Sequence, residues 1–150
     1  MAKTHDLAPE ATMQERIAYV HRITKGMQAY FTVQLYSLAG RDYAFLQPTG
    51  NIYPIDLDDR VGPMGKVIEA LVEAGIFDIV FSLKGVRALM DIPYAITVWL
   101  ISQIEEQNGV LLFCDVSPQI IGSMGILGMA QLMRLYPSEQ GMQDDFRNNP

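Results

Sequence analysis

Two stretches of seven residues, FDIVFSL at 77–83 and VLLFCDV at 110–116, are almost wholly apolar and do not alternate. Short runs of that kind are what a strand needs when both faces of its sheet are covered. Covering both faces calls for helices, and the flanking sequence carries their signature. After Pro63, the residues Met64, Val67, Ile68, Leu71 and Val72 recur at i, i+3, i+4, i+7 and i+8 before Gly75, which predicts a helix with one apolar face. Residues 88–109, ALMDIPYAITVWLISQIEEQNG, predict a second helix. Ser117 and Pro118 supply a cap and a first-turn proline for a third, with Ile120, Met124 and Leu127 turned inward.

Upstream, the period falls to two. Phe31, Val33 and Leu35 face one way, Thr32, Gln34 and Tyr36 the other, and Ala39-Gly40-Arg41 turns the chain into a second strand around 43–47. Ahead of this hairpin, Met13, Ile17 and Val20 form an amphipathic helix over about 9–25, with Pro9 in its opening turn and Gly26 at its end. A short strand near 131–136 and a last helix capped at Ser138 close the pattern. One leading helix is thus followed by β-β-α-β-α-β-α-β-α. Strands alternating with helices imply right-handed crossovers and a mixed, mostly parallel sheet of about five strands, an α/β fold. The expected division is an extension at 1–29, a domain at 30–146 and a tail at 147–150.

At 150 residues and 49% hydrophobic, the chain is the size of one domain and apolar enough to fill one core. A net charge of −6 opposes docking on phosphate backbones or anionic membranes, so no nucleic-acid or direct membrane partner is expected. The first residues, MAKTHDLAPE, lack the apolar centre of a signal peptide, and no run is long enough to span a membrane, which gives a cytoplasmic expectation. Cys114 lies inside an apolar run and reads as a buried thiol.

Residues able to do chemistry are few and scattered along the chain. His5 and His21 lie far in sequence from Cys114 and from the acid-rich loop, so neither a metal site nor a nucleophile–base arrangement is supported, and no cofactor or enzymatic activity is expected. Asp56, Asp58 and Asp59 crowd one loop without the glycine and distal glutamate of a calcium loop and read as a solvated turn. Gly122, Gly125 and Gly128 recur every third residue, but inside a capped helix and without a following lysine, so they read as close packing or an early helix end rather than a phosphate loop.

The helix at 88–109 stands out. At about 100° per residue, its apolar side chains fall on every side of the first turns, and polar residues gather only from Ser102 onward. One sheet cannot bury all of them. The cover is either the leading helix or a loop of the same chain, or else a partner or second copy.

Three stretches resemble the STAS domain, the fold of bacterial anti-sigma factor antagonists. They are Gln47-Pro48-Thr49-Gly50-Asn51-Ile52, the run from Phe77 to Asp91, and the run from Val110 to Pro118 with Gly125-Ile126-Leu127. The similarity spans about residues 30–146. It implies a non-catalytic, cytoplasmic regulatory domain that binds a protein partner, such as an anti-sigma factor kinase, in bacterial signalling to transcription. In that family a loop reads Asp-Ser-Ser/Thr-Gly-Leu, and the serine after the aspartate is phosphorylated. Here Asp91 is retained, but Ile92 holds the acceptor position, followed by Pro93 and Tyr94. The family's Gly-Glu-Leu-Asp is altered to Gly50-Asn51-Ile52-Tyr53. A constitutive, apolar docking surface follows, formed by Asn51, Ile52, Tyr53 and Asp56 with Asp91, Ile92, Pro93, Tyr94 and Thr97. Asp91 and Pro93 also suit a helix start on their own. Two other roles fit the resemblance: an oligomeric scaffold of STAS-like units, and a lipid-binding domain or accessory subunit of a lipid transporter.

Overall fold

The computed structural model describes residues 7–27, 30–49, 62–84, 94–126 and 134–148, with only the backbone considered for 62–64, 94–97 and 123–126. In chain order the elements are α1 (Met13–Ile23), β1 (Phe31–Leu38), β2 (Arg41–Pro48), α2 (Gly62–Glu73), β3 (Asp78–Ser82), α3 (Tyr94–Glu106), β4 (Val110–Cys114), α4 (Pro118–Ile126), β5 (Arg134–Leu135) and α5 (Glu139–Asn148). This is the order expected from the alternating periods.

The five strands form one sheet in the order β1-β2-β3-β4-β5. β1 and β2 are antiparallel, and every later neighbour is parallel. Ala39 (φ +52°) and Gly40 (φ +80°) make the two-residue turn between β1 and β2. Two successive positive φ values match the twist of the flanking strands, and glycine adopts the second without a Cβ penalty.

Strand order equal to chain order has a consequence for the layers. Right-handed crossovers that all step in one direction carry their helices to the same face. Accordingly, Ile68 and Leu71 of α2, Leu100 and Ile104 of α3 and Ile120 of α4 join one core with Val33, Leu46, Ile79, Phe81 and Phe113 of the sheet. Ile17 and Val20 of α1 belong to the same core. On the opposite face Leu38, Tyr43, Val80, Leu112 and Cys114 pack with Met142, and with Phe146 at their margin. Among the described residues, α5 alone covers that second face. β3 and β4 are therefore apolar on both sides, which is why their sequences do not alternate.

α1 starts later than its proline suggests. Thr12, not Pro9, caps it: the Thr12 hydroxyl accepts the Glu15 N–H at 3.1 Å, and the Glu15 carboxylate accepts the Thr12 N–H at 2.9 Å. A reciprocal capping box satisfies two end donors, whereas Pro9 can only tolerate a first turn. The helix ends at Ile23, where Thr24 caps it by donating to the Val20 carbonyl through both its backbone N–H and its hydroxyl. His21 Nε2 then lies 2.7 Å from the Val33 carbonyl, which requires the proton on Nε2 and pins α1 to β1.

Other expectations resolve in detail. Leu35 shares the face of Phe31 and Val33 but is 43% exposed, on the strand at the edge of the described sheet. Gly122 sits inside α4, and a Cβ there would meet nothing within 4 Å, so close packing does not explain it. Ser117 and Ser138 cap α4 and α5 as expected, accepting from Ile120 N–H at 3.3 Å and Gly141 N–H at 2.9 Å.

Candidate functional site at the carboxyl edge of the sheet

In open parallel sheets the carboxyl ends of the strands, where the chain leaves the hydrogen-bonded ladder, are the usual place for recognition. β2 and β3 are parallel neighbours, with Leu46 opposite Phe81, so Pro48 and Ser82 end on the same edge. The segments 50–61 and 85–93 follow these two strand ends in the chain. β4 ends beside them, with Ser82 opposite Cys114.

A polar cluster holds this edge together. The Ser82 hydroxyl donates to Asp115 Oδ2 at 3.0 Å and accepts from the Lys84 N–H at 3.3 Å, while the Cys114 thiol lies 3.7 Å from the same carboxylate oxygen. Asp115 can reach both because its backbone takes φ +56°, a left-handed conformation that Asp tolerates better than most residues. The Leu83 N–H donates to the Cys114 carbonyl at 2.9 Å, extending the ladder by one bond. Ser82 and Cys114 are both fully buried. Burial, with the Asp115 and Glu139 carboxylates and the bond to Asp115, pushes the thiol up to about 12. A thiol so far above neutrality carries no thiolate to act as a nucleophile. The cluster fixes where the two strands end, and Ser82 is too deep to meet a substrate.

Spacing alone could not reveal this cluster, since Ser82 and Asp115 stand 33 residues apart and only the parallel pairing of β3 and β4 joins them. Of the residues singled out by sequence, Asn51, Ile52, Tyr53, Asp56, Asp91, Ile92 and Pro93 lie outside the described residues. So do Asp58, Asp59 and His5. Tyr94 opens α3, and Thr97 follows three residues later on it.

One turn further along, α3 shows what it leaves uncovered. Leu100, Ile101 and Ile104 are buried, but Val98 and Trp99 remain 39% and 38% exposed. α1 does not cover them, for it packs on β1, β2 and α2, and α2 stands between it and α3. No helix of the described residues is long and apolar enough to cross a membrane, and no group of three His, Cys, Asp or Glu among them could hold a metal ion.

No protein-family profile matches this chain, and no curated protein matches it either. Solved structures do. A protein from Thermotoga maritima described as a candidate anti-sigma factor antagonist superposes with a TM-score of 0.57 at 10% identity, covering 78% of this chain and 94% of that one. An anti-sigma-factor antagonist (STAS) domain protein from Planctomyces limnophilus superposes with a TM-score of 0.51 at 14% identity, covering 77% of this chain and 97% of that one. The chain therefore has a STAS-like fold: a mixed five-stranded sheet with helices packed on it, preceded by α1.

Proposed function

We propose that this protein is a non-catalytic regulatory domain that docks a cytoplasmic protein partner at the carboxyl edge of its sheet, through the start of α3 and the segment 51–59. The observation that carries this reading is the exposure of Val98 and Trp99 on α3, one turn after Tyr94, beyond the reach of the helix best placed to cover them. Large apolar side chains presented together on a helix next to strand exits form an interaction surface. Most of each side chain is already covered, so burying the exposed remainder of either one would stabilise a complex by roughly 1 kcal/mol. The fold shared with two proteins described as anti-sigma factor antagonists supports the same reading.

Phosphorylation does not switch this surface at the position the family uses, because Ile92 has no hydroxyl to accept a phosphate. Docking is instead constitutive and apolar, with an anti-sigma factor kinase as the kind of partner the fold resemblance favours. Affinity capture with wild-type protein and with Ile92→Glu, Tyr94→Glu and Trp99→Glu variants tests this. The wild type retains a partner that the variants lose, while all four keep the same circular dichroism. Equal retention by all four places the docking site elsewhere. Stoichiometric phosphate at Thr97 or Ser123 in protein from cells would show that a switch operates after all.

A further inference from the structure

Among the described residues β1 is the outermost strand of the sheet, and its own sequence carries none of the usual protections of an edge, although His21 of α1 contacts that edge at the Val33 carbonyl. Its eight residues, FTVQLYSL, contain no charge and no proline, and its pairing with β2 runs from Phe31–Pro48 to Leu38–Arg41 without a bulge. Exposed edges in soluble proteins usually carry one of these devices, because a bare edge offers its backbone to another strand. In a hairpin closed by a two-residue turn, Leu38 and Arg41 exchange hydrogen bonds, and so do the pairs at every second position from them. The N–H and C=O groups of Phe31, Val33, Leu35 and Ser37 therefore point outward. The His21 contact to the Val33 carbonyl agrees with that direction, and it engages only one of the carbonyl's two lone pairs.

The edge also carries an apolar projection and an apolar recess side by side. Leu35, 43% exposed, projects from the same face as Val33, two residues away. Beside it lies an apolar groove of about 190 Å3 lined by His21, Thr24, Phe31, Thr32, Val33 and Gln34. We propose that β1 pairs antiparallel with β1 of a second copy of this chain, Leu35 of each copy seating over Val33 in the groove of the other, to give one continuous ten-stranded sheet. Only the outward-pointing residues can exchange hydrogen bonds, so the register is restricted. Setting Leu35 opposite the partner's Val33 also sets Gln34 opposite the partner's Gln34 on the two-fold axis, with Thr32 opposite the partner's Tyr36. A chain of net charge −6 makes self-association costly over most of its surface, and β1 is an uncharged exception.

This pairing does not rest on the partner-docking reading, since β1 is the far edge of the sheet from β4 and β5 and leaves α3 free. A strand edge alone buries less than the ~1,000 Å2 of a tight complex, so the dimer is reversible. Sedimentation across a wide concentration range reads it out directly: the wild type shifts from monomer to dimer as concentration rises. Leu35→Lys, at an exposed position, keeps the circular dichroism of the wild type and weakens the dimer by about tenfold or more, because a charge lands opposite an apolar neighbour on each side of the axis. Gln34→Cys protein cross-links to a dimer under mild oxidation, because directly opposed cysteines in a non-hydrogen-bonded pair have Cα atoms about 4.5 Å apart, within disulfide range. Thr32→Cys does not, and the buried Cys114 gives no background. A chain that stays monomeric throughout overturns the proposal, as does a dimer that survives Leu35→Lys and fails to cross-link through Gln34→Cys.

Discussion

The Arg16 guanidinium and the Ala74 carbonyl lie 2.7 Å apart, joining the first turns of α1 to the end of α2. The same guanidinium donates to the carbonyls of Ala11 at 3.2 Å and Pro9 at 3.0 Å. A planar fork with fixed donors can serve three carbonyls at once, and a cation at the end of α2 also meets the negative pole of that helix. Gly75, at φ +74°, leaves the space: a Cβ there would approach Arg16 Nη1 to 2.6 Å. Arg16→Met keeps much of the aliphatic stem and removes all three bonds. It should lower unfolding free energy by about 2–3 kcal/mol, measured by urea denaturation, with Arg16→Lys recovering only part of the loss.

Two glycines should respond to alanine in opposite directions. At Gly109 a Cβ would collide with the Phe77 carbonyl oxygen and lie 2.8 Å from Phe77 C and Cβ, where β4 begins beside β3. Backbone cannot give way as a side-chain tip can, so Gly109→Ala should cost about 2–3 kcal/mol or prevent folding. Gly122 is exposed within α4 with open space around it, and Gly122→Ala should stabilise by about 0.5–1 kcal/mol. Thermal unfolding of the two variants beside wild type decides the matter. Gly122→Ala melting below wild type would mean that this glycine has a role beyond the helix.

Alkaline pH should destabilise the fold. Burial, with neighbouring carboxylates, raises the Cys114 thiol from 9.0 to about 12. Burial, with the nearby Glu139 carboxylate, raises the Tyr36 phenol from 10.0 to about 12, against the lowering effect of the bond it accepts from Gln143. Both are acids that keep their proton longer in the folded state. Between the unfolded and folded values the unfolded chain binds fewer protons, so stability falls as pH rises. The decline starts near pH 9, steepens above pH 10 and levels off near pH 12. Urea midpoints across this range check it. Cys114→Ala should remove the part that begins near pH 9, and a thiol reagent should modify native Cys114 only as fast as the chain opens.

The second face of the sheet hangs on α5. Met142 is fully buried against Val80, Leu112 and Tyr43, and the Tyr36 hydroxyl donates to Glu139 Oε2 at 3.0 Å. Met142→Ala should cost about 2–5 kcal/mol by opening a cavity in the layer that, among the described residues, alone covers this face. Chemical denaturation gives the size. Binding of a hydrophobic dye by the variant under native conditions would show that α5 has come away from the sheet rather than merely lost packing.

The residues themselves show how far the sequence could be read. The alternation at 31–36, the unbroken apolar runs 77–83 and 110–116, the apolar residues at helical spacing and the cap signals together were sufficient for the order of the ten described elements, because strand and helix periods are local properties of the chain. Cys114 was legible as a buried thiol for the same reason. The start of α1 was not, because Pro9 and Thr12 both signal a helix start, and only the Thr12–Glu15 exchange of bonds decides between them. At Gly122 the open surroundings rule out close packing, one of the two readings that the glycine spacing offered.

What the sequence determined by itself was therefore the element types, their order and which strands are covered on both faces, all consequences of side-chain periodicity within short windows. The tertiary structure decided what periodicity cannot carry. It joined Ser82 to Asp115 across parallel strands, placed α2 between α1 and α3 with Val98 and Trp99 still exposed, and packed α5 on the second face. These depend on pairing and crossover direction between residues distant in the chain, where proximity follows from the path of the backbone and not from any local pattern.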